Sequence, residues 1–410
     1  MASRKHGTDL SQYLLITGNY WAFTLTDGAL RMLVVLHFHE LGYSPLSIAL
    51  LFIFYEFFGV ITNLIGGWVA ARLGLNHTMN IGLALQILAL AMLLVPPAYL
   101  TVTWVMIAQA FSGIAKDLNK MSAKSAVKFM VAPSSEDKLY KLVALLTGSK
   151  NALKGIGFFL GGLLLSIFGF STALGLMIGM LLLVLTISLL FLNPGLGQVK
   201  NKPKFRDIFS KSVAINKLSA ARMFLFGARD VWFVVALPVY LSSTLNWDHL
   251  SVGGFLAFWI IGYGFIQTLA PYLTRRRDGS QPDGKSAFGW VLGLSITPFL
   301  ITLSLSLGFH TEKSLIIGLM VFGFFFAINS SLHSYLIVSY ANQDSVSLDV
   351  GFYYMANAMG RLLGTVLSGW VFQLYGLTTC LVISGVFLLI ASAISFFLPR
   401  ITNRPSPSSQ

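Results

Sequence analysis

Ten ionisable side chains interrupt stretches that are otherwise apolar: Asp27, Arg31, Glu56, Lys116, Asp117, Lys150, Lys154, Arg229, Asp230 and Arg361. A charge at mid-depth in hydrocarbon costs on the order of 2.5–3.5 kcal/mol on insertion scales, so such groups face a partner or a water-filled cavity. Pairing cannot absorb this set. The cations Arg31, Lys116, Lys150, Lys154, Arg229 and Arg361 outnumber the acids Asp27, Glu56, Asp117 and Asp230 by six to four. The two uncompensated positive charges predict a site for a small multivalent oxyanion. Arg presents a planar fork to phosphate-like oxygens, and Lys a mobile point charge. Lys150 and Lys154, four residues apart, share a helix face.

The acids have two possible tasks, carrying a proton or holding a cation in place, because desolvation favours the neutral carboxyl and neighbouring cations the ionised one. Asp27 and Arg31, spaced i, i+4 with the acid first, are expected to pair on one helix. Glu56 has no cation within a turn on its own segment and is the first choice for proton carriage. Lys120, Lys124 and Arg222 lie nearer segment ends, and the two lysines are expected to snorkel toward water.

Other chemistry finds little support. Cys380 is the only cysteine, which excludes disulfides and thiolate metal cages. His37 and His39, in the run HFHE, match no metal-ligand spacing and are expected at the interface, whereas His333, within an apolar run, is a secondary functional candidate. No metal or cofactor is expected. Ser149 and Lys150 are adjacent and point apart on a helix, and there is no nucleophile elbow, so an enzyme is not expected. Asn63, Gln109, Asn151, Gln267, Asn329 and Asn357 suit interhelical hydrogen bonds.

The elements that must position these charges follow from composition. Of 410 residues, 55% are hydrophobic and 10% charged, against about 25% charged in soluble domains. Apolar runs of ~20 residues span ~30 Å of hydrocarbon as helices, which satisfy their own backbone groups there. Twelve spans are predicted, at 12–38, 45–71, 78–98, 100–123, 140–167, 172–192, 217–241, 250–273, 286–308, 314–341, 350–373 and 377–398. The formal charge of +13 does not indicate nucleic acid, because the cations lie in short connections. Arg4, Lys5, Arg72, Lys200, Arg275, Arg276, Arg277 and Arg400 all fall on one side, and Lys313 alone on the other. The positive-inside rule then predicts cytoplasmic termini in a bacterial inner membrane.

Residues 193–216, containing NPGLGQVKNKPKF, read as a cytoplasmic linker. They divide a half at 1–192 from a half at 217–398, with a cytoplasmic tail at 399–410. A linker this short leaves no room for the soluble domain of a sensor. The halves are related in sequence. An offset of 204 lays Leu41-Gly-Tyr-Ser-Pro-Leu-Ser on Leu245-Asn-Trp-Asp-His-Leu-Ser, and Arg72 on Arg276. An offset of 207 lays Lys154, Gly157, Gly162 and Gly169 on Arg361, Gly364, Gly369 and Gly376.

Six plus six spans with a repeat resemble the major facilitator fold, an all-α membrane architecture of two pseudo-symmetric six-helix halves with the substrate between them near the midplane. The loop signature G-x-x-x-D-R-x-G-R-K of that superfamily is partly kept, as Gly67, Arg72 and Gly74, with Ala71 in place of the acid. More specifically, NYWAFTLTDGALRMLVVLHFHELGYSP (19–45), SGIAKDLNKMSAKS (112–125), LTGSKNALKGIGFFLGG (146–162) and FLFGARDVWFVVALPVYL (224–241) resemble the organoarsenical efflux permeases of the ArsJ family. That resemblance implies efflux of arsenylated phosphoglycerate, a functional link to a glyceraldehyde-phosphate dehydrogenase, and arsenate resistance. Proton-coupled antiport by a monomer is the expected mode. An organophosphate or sugar-phosphate permease, or a phosphate exchanger, is the alternative.

Overall fold

The computed structural model describes residues 2–43, 51–131, 135–193, 212–247, 249–276, 280–308, 311–342 and 345–399. Most of the 193–216 linker and all but the first residue of the 399–410 tail therefore lie outside the described residues.

The described chain is helical throughout: α1 (Ala2–Glu40), α2 (Ile53–Leu73), α3 (Leu75–Met92), α4 (Val102–Met130), α5 (Glu136–Phe191), α6 (Val213–Phe233), α7 (Ala236–Ser243), α8 (His249–Leu273), α9 (Gly284–Ser306), α10 (Thr311–Tyr340) and α11 (Val346–Phe396). The helices α5 and α11 are each two spans joined without a loop. Each breaks at a glycine, Gly169 with φ 74° and ψ 173°, and Gly376 with φ 76° and ψ −176°. Only glycine enters that backbone region without strain. The two breaks stand 207 residues apart, the offset of the sequence repeat, so the repeat is expressed in the backbone itself. The run expected at 217–241 is also interrupted, between α6 and α7. Counting both limbs of α5 and α11, and α6 with α7 as one crossing, gives the twelve spans of the major facilitator fold. Eight described segments pass a length-and-hydropathy test for a span. The helices α1 and α4 do not, because polar and charged residues dilute them.

Helix starts are locally encoded. Thr101 Oγ1 accepts from Trp104 N at 3.3 Å, and Ser212 Oγ accepts from Ile215 N at 3.3 Å. That second cap begins α6 four residues ahead of the predicted span. Asp283 caps α9, accepting from Lys285 N and Ser286 N, and also holds Arg276 at 2.5 Å. Its counterpart Arg72, lacking an acid at Ala71, lies instead over the Trp68 ring at 4.9 Å.

Within each half, a glycine lets a long helix press against the half's first helix. A Cβ on Gly157 would meet Leu25 O at 2.6 Å, and one on its repeat partner Gly364 would meet Gly227 O at 2.7 Å. Between halves, contact is concentrated at the end of the bundle where α1 begins and α11 finishes, hereafter the terminal end. One apolar cluster there joins both halves, including Tyr13, Val127 and Tyr140 from the first and Leu332, Tyr335 and Tyr353 from the second. Toward the far end each half keeps a separate core, around Phe23, Leu33 and Phe52 in one and Trp232, Phe322 and Phe326 in the other. The halves are thus sealed at the terminal end.

Candidate functional site

A cavity of about 500 Å³ lies between the halves above that seal. It is lined by Arg31, Lys116, Lys150, Lys154, Arg229 and Arg361, the six predicted cations, and by Asp27, Glu56 and Asp117. Asp230 does not line it. Its side chain is 0% exposed and lies behind the wall, bonded to Arg229 at 2.5 Å and to Arg361 Nε at 3.1 Å. Side chains from α1, α2, α4, α5, α6 and α11 therefore converge on one space, as the charge surplus required.

The pairing differs from the sequence expectation in ways set by three-dimensional packing. Asp27 does not pair with Arg31. Its Oδ1 accepts from Tyr55 Oη at 2.7 Å, and among the described residues it has no ion pair. Arg31 turns across to α2, reaching Glu56 at 3.7 Å, with its guanidinium also over the Phe52 ring at 5.0 Å. Glu56 is not isolated either. Arg361 reaches the same carboxylate at 3.6 Å, so Glu56 holds one arginine from each half. Its partners come from other helices, which a reading confined to its own segment could not include. Asp117 sits between Lys116 at 3.8 Å and Lys120 at 2.5 Å.

The lysines expected to snorkel do not. Lys120, Lys124 and Arg222 all line the cavity, with Lys124 and Arg222 only 3% exposed. Lys124 Nζ donates to Tyr354 Oη. Arg222 donates through Nε to Asn357 Oδ1 at 2.9 Å and through Nη1 to Ser330 O at 3.1 Å, and lies over the Phe226 ring at 3.9 Å. The reason is topological: the terminal end is closed by the other half, so these side chains meet the cavity floor rather than bulk water. A signal for them was present in sequence. Lys116, Lys120 and Lys124 follow i, i+4, i+8 on one face of α4, and Arg222 precedes Arg229 by two turns on α6.

Nine cations now face four carboxylates, Asp230 included, a surplus of five. Lys150 and Lys154 take part in no ion pair among the described residues, although Lys154 approaches the Phe158 ring at 5.8 Å. The second half adds an aromatic wall of Phe226, Phe233, Trp259 and Tyr263, which the charge-led reading passed over. Arg229 lies over Phe226 at 5.1 Å and Phe233 at 5.7 Å. Cation–π contact keeps a guanidinium in place without neutralising it.

The remaining polar residues mostly serve helix contacts. Asn151 Nδ2 donates to Gln267 Oε1 across the halves at 2.6 Å, and Asn329 Nδ2 donates to Trp290 O at 2.9 Å. His37 stacks on Phe170 with ring centroids 3.9 Å apart. His333 is fully buried and does not line the cavity. No cluster of His, Cys, Asp or Glu suited to a metal ion occurs among the described residues.

Among solved structures, the chain resembles the Escherichia coli fucose:proton symporter FucP (TM-score 0.74, 14% identity, covering 96% of this chain and 100% of that one). It also resembles the proton:xylose symporter XylE (TM-score 0.75, 13% identity, 96% of each chain). The human organic anion transporter MFSD10 aligns with TM-score 0.71 and 15% identity over 94% of this chain and 99% of that one. No curated protein sequence matches. The sequence model of the Major Facilitator Superfamily matches residues 15–282 and 285–410. A twofold-repeated helical bundle with a charged cavity between its halves, matched over almost its whole length by that model, belongs to the major facilitator superfamily of membrane transporters.

Proposed function

We propose that the chain exports a multivalent organic oxyanion by alternating access, with arsenylated phosphoglycerate as its substrate and arsenate resistance as the outcome. The observation that carries the anion reading is the cavity's charge: nine cations against four carboxylates, in a space closed at one end by apolar packing. Such a surplus is stable when an anion completes it. A pentavalent arsenate ester is a hard oxyanion suited to Arg and Lys, and a cavity without thiolates fits it better than it would fit trivalent arsenic. The arsenical itself rests on the sequence resemblance. With both termini on the cytoplasmic side of a bacterial inner membrane, the sealed terminal end faces the cytoplasm and the cavity faces outward.

Asp27 replaces Glu56 as the candidate proton carrier. Protonating Asp27 breaks no ion pair, whereas protonating Glu56 would release two arginines. The alternative, an organophosphate permease, draws on the same cations; MFSD10, of similar fold, is an organic anion transporter. One experiment separates them. Arsenate-treated cells expressing the chain with a glyceraldehyde-phosphate dehydrogenase should retain less arsenic than cells with either alone. Unchanged cellular arsenic alongside organophosphate flux would assign the alternative.

A further inference from the structure

The cavity's cations are not spread evenly with respect to its carboxylates. Toward the far end, Arg31 and Arg361 share Glu56, Arg229 and Arg361 share Asp230, and Lys116 and Lys120 share Asp117. Nearer the terminal end, Lys124, Lys150 and Arg222 come from three helices and have no carboxylate within ion-pair distance among the described residues. Lys124 lies within electrostatic reach of Arg222 and Lys120, and Lys150 within reach of Lys120, Lys124, Lys154 and Lys116. The groups that do touch them are neutral, namely Tyr354 on Lys124 and Asn357 on Arg222. Thr147, one turn from Lys150 on α5, lines the same space with a buried hydroxyl that has no hydrogen-bond partner among the described residues. Three of the five surplus charges are therefore gathered on the floor, beside an unused hydroxyl.

The two levels are separated along the bundle. Arg222 and Arg229 are seven residues apart on α6, and Lys124 and Lys116 eight apart on α4, which at 1.5 Å per residue is about 10–12 Å of helix. Long Lys and Arg side chains shorten the gap between charged tips. We infer that the cavity holds two anion subsites: a carboxylate-free floor of Lys124, Lys150 and Arg222 that takes a phosphate-like dianion, and an upper level at Arg361 and Arg31 that takes a second acid group on the same molecule. The substrate class is thus a short-chain organic anion with an acid group at each end. On the upper level the second group must compete with Glu56 for its arginines, whereas the floor is available without displacing any carboxylate. This inference rests on the anion reading of the cavity.

The test is binding of inorganic phosphate and of 3-phosphoglycerate, which joins a phosphate to a carboxylate, to the purified full-length protein in nanodiscs by titration calorimetry. Wild type should bind 3-phosphoglycerate at least tenfold tighter than phosphate. Lys150→Gln, which removes a residue in no ion pair and so leaves no orphaned acid, should weaken both ligands tenfold or more and preserve their ratio. Arg361→Gln should collapse the ratio toward one. Lys124→Gln repeats the floor test through a second helix. Equal wild-type affinities for the two ligands would overturn the two-subsite inference and leave the anion reading standing, as would undiminished phosphate binding by both lysine variants. Wild type that binds neither ligand would overturn both.

Discussion

At the scale of single residues, the chemistry of this cavity depends on which charges are matched. Asp230 is fully enclosed and holds Arg229 and Arg361 together. Asp230→Asn leaves two guanidiniums sharing one neutral amide, and breaking a buried pair of this kind costs about 3–5 kcal/mol. The expected result is a clear loss of thermal stability in detergent. Lys150→Gln makes the opposite prediction: it removes an uncompensated, half-buried charge, so the melting temperature should hold or rise while anion affinity falls. If the two variants melt alike, the division into matched and unmatched charges is wrong. The identity of these residues was legible in sequence, because a charge in an apolar run stands out. Their partners were not. Glu56 draws its two arginines from α1 and α11, and no spacing rule along α2 reports on side chains that other helices bring to it.

At the scale of elements, the two glycine breaks and the helix crossings fix where the charges point. Gly169 and Gly376 adopt the same extended, positive-φ backbone. Gly169→Ala and Gly376→Ala should each cost about 1–3 kcal/mol, since that region is essentially closed to other residues; paired thermal melts measure it. The repeat offset of 207 exposed both glycines in sequence, though not that each would break a helix without an intervening loop. The seal between halves depends on another crossing, α5 on α8, where a Cβ on Gly264 would meet Gly148 O at 2.7 Å. Gly264→Val should prise the terminal end apart. A Thr274→Cys probe, buried beside Tyr140 in the seal, should then react faster with a maleimide; an unchanged rate would show that the crossing does not govern closure. Lys120 and Lys124 depart from the expected snorkelling for the same reason: span boundaries place them near a helix end, but only the closure of the two halves turns that end into a cavity floor.

At the scale of the whole molecule, hydropathy and the repeat sufficed for the fold, because twelve apolar crossings in two related sets of six have few ways to pack. Substrate class does not follow from fold. FucP and XylE, of similar fold, carry names of sugar symporters, and a bacterial ferroportin homologue in an outward-facing state aligns with TM-score 0.74. The proposal of an anion rests on the charge gathered at the centre, whose full extent emerges only when α4, α5 and α6 are brought together. The central claim is therefore one of charge selectivity. The most direct measurement is flux into proteoliposomes of radiolabelled 3-phosphoglycerate, xylose and ferrous iron, each competed with excess inorganic phosphate. The account predicts saturable, phosphate-inhibited uptake of the organic anion and no protein-dependent uptake of the other two. Protein-dependent entry of the sugar or the metal ion, indifferent to phosphate, would contradict it.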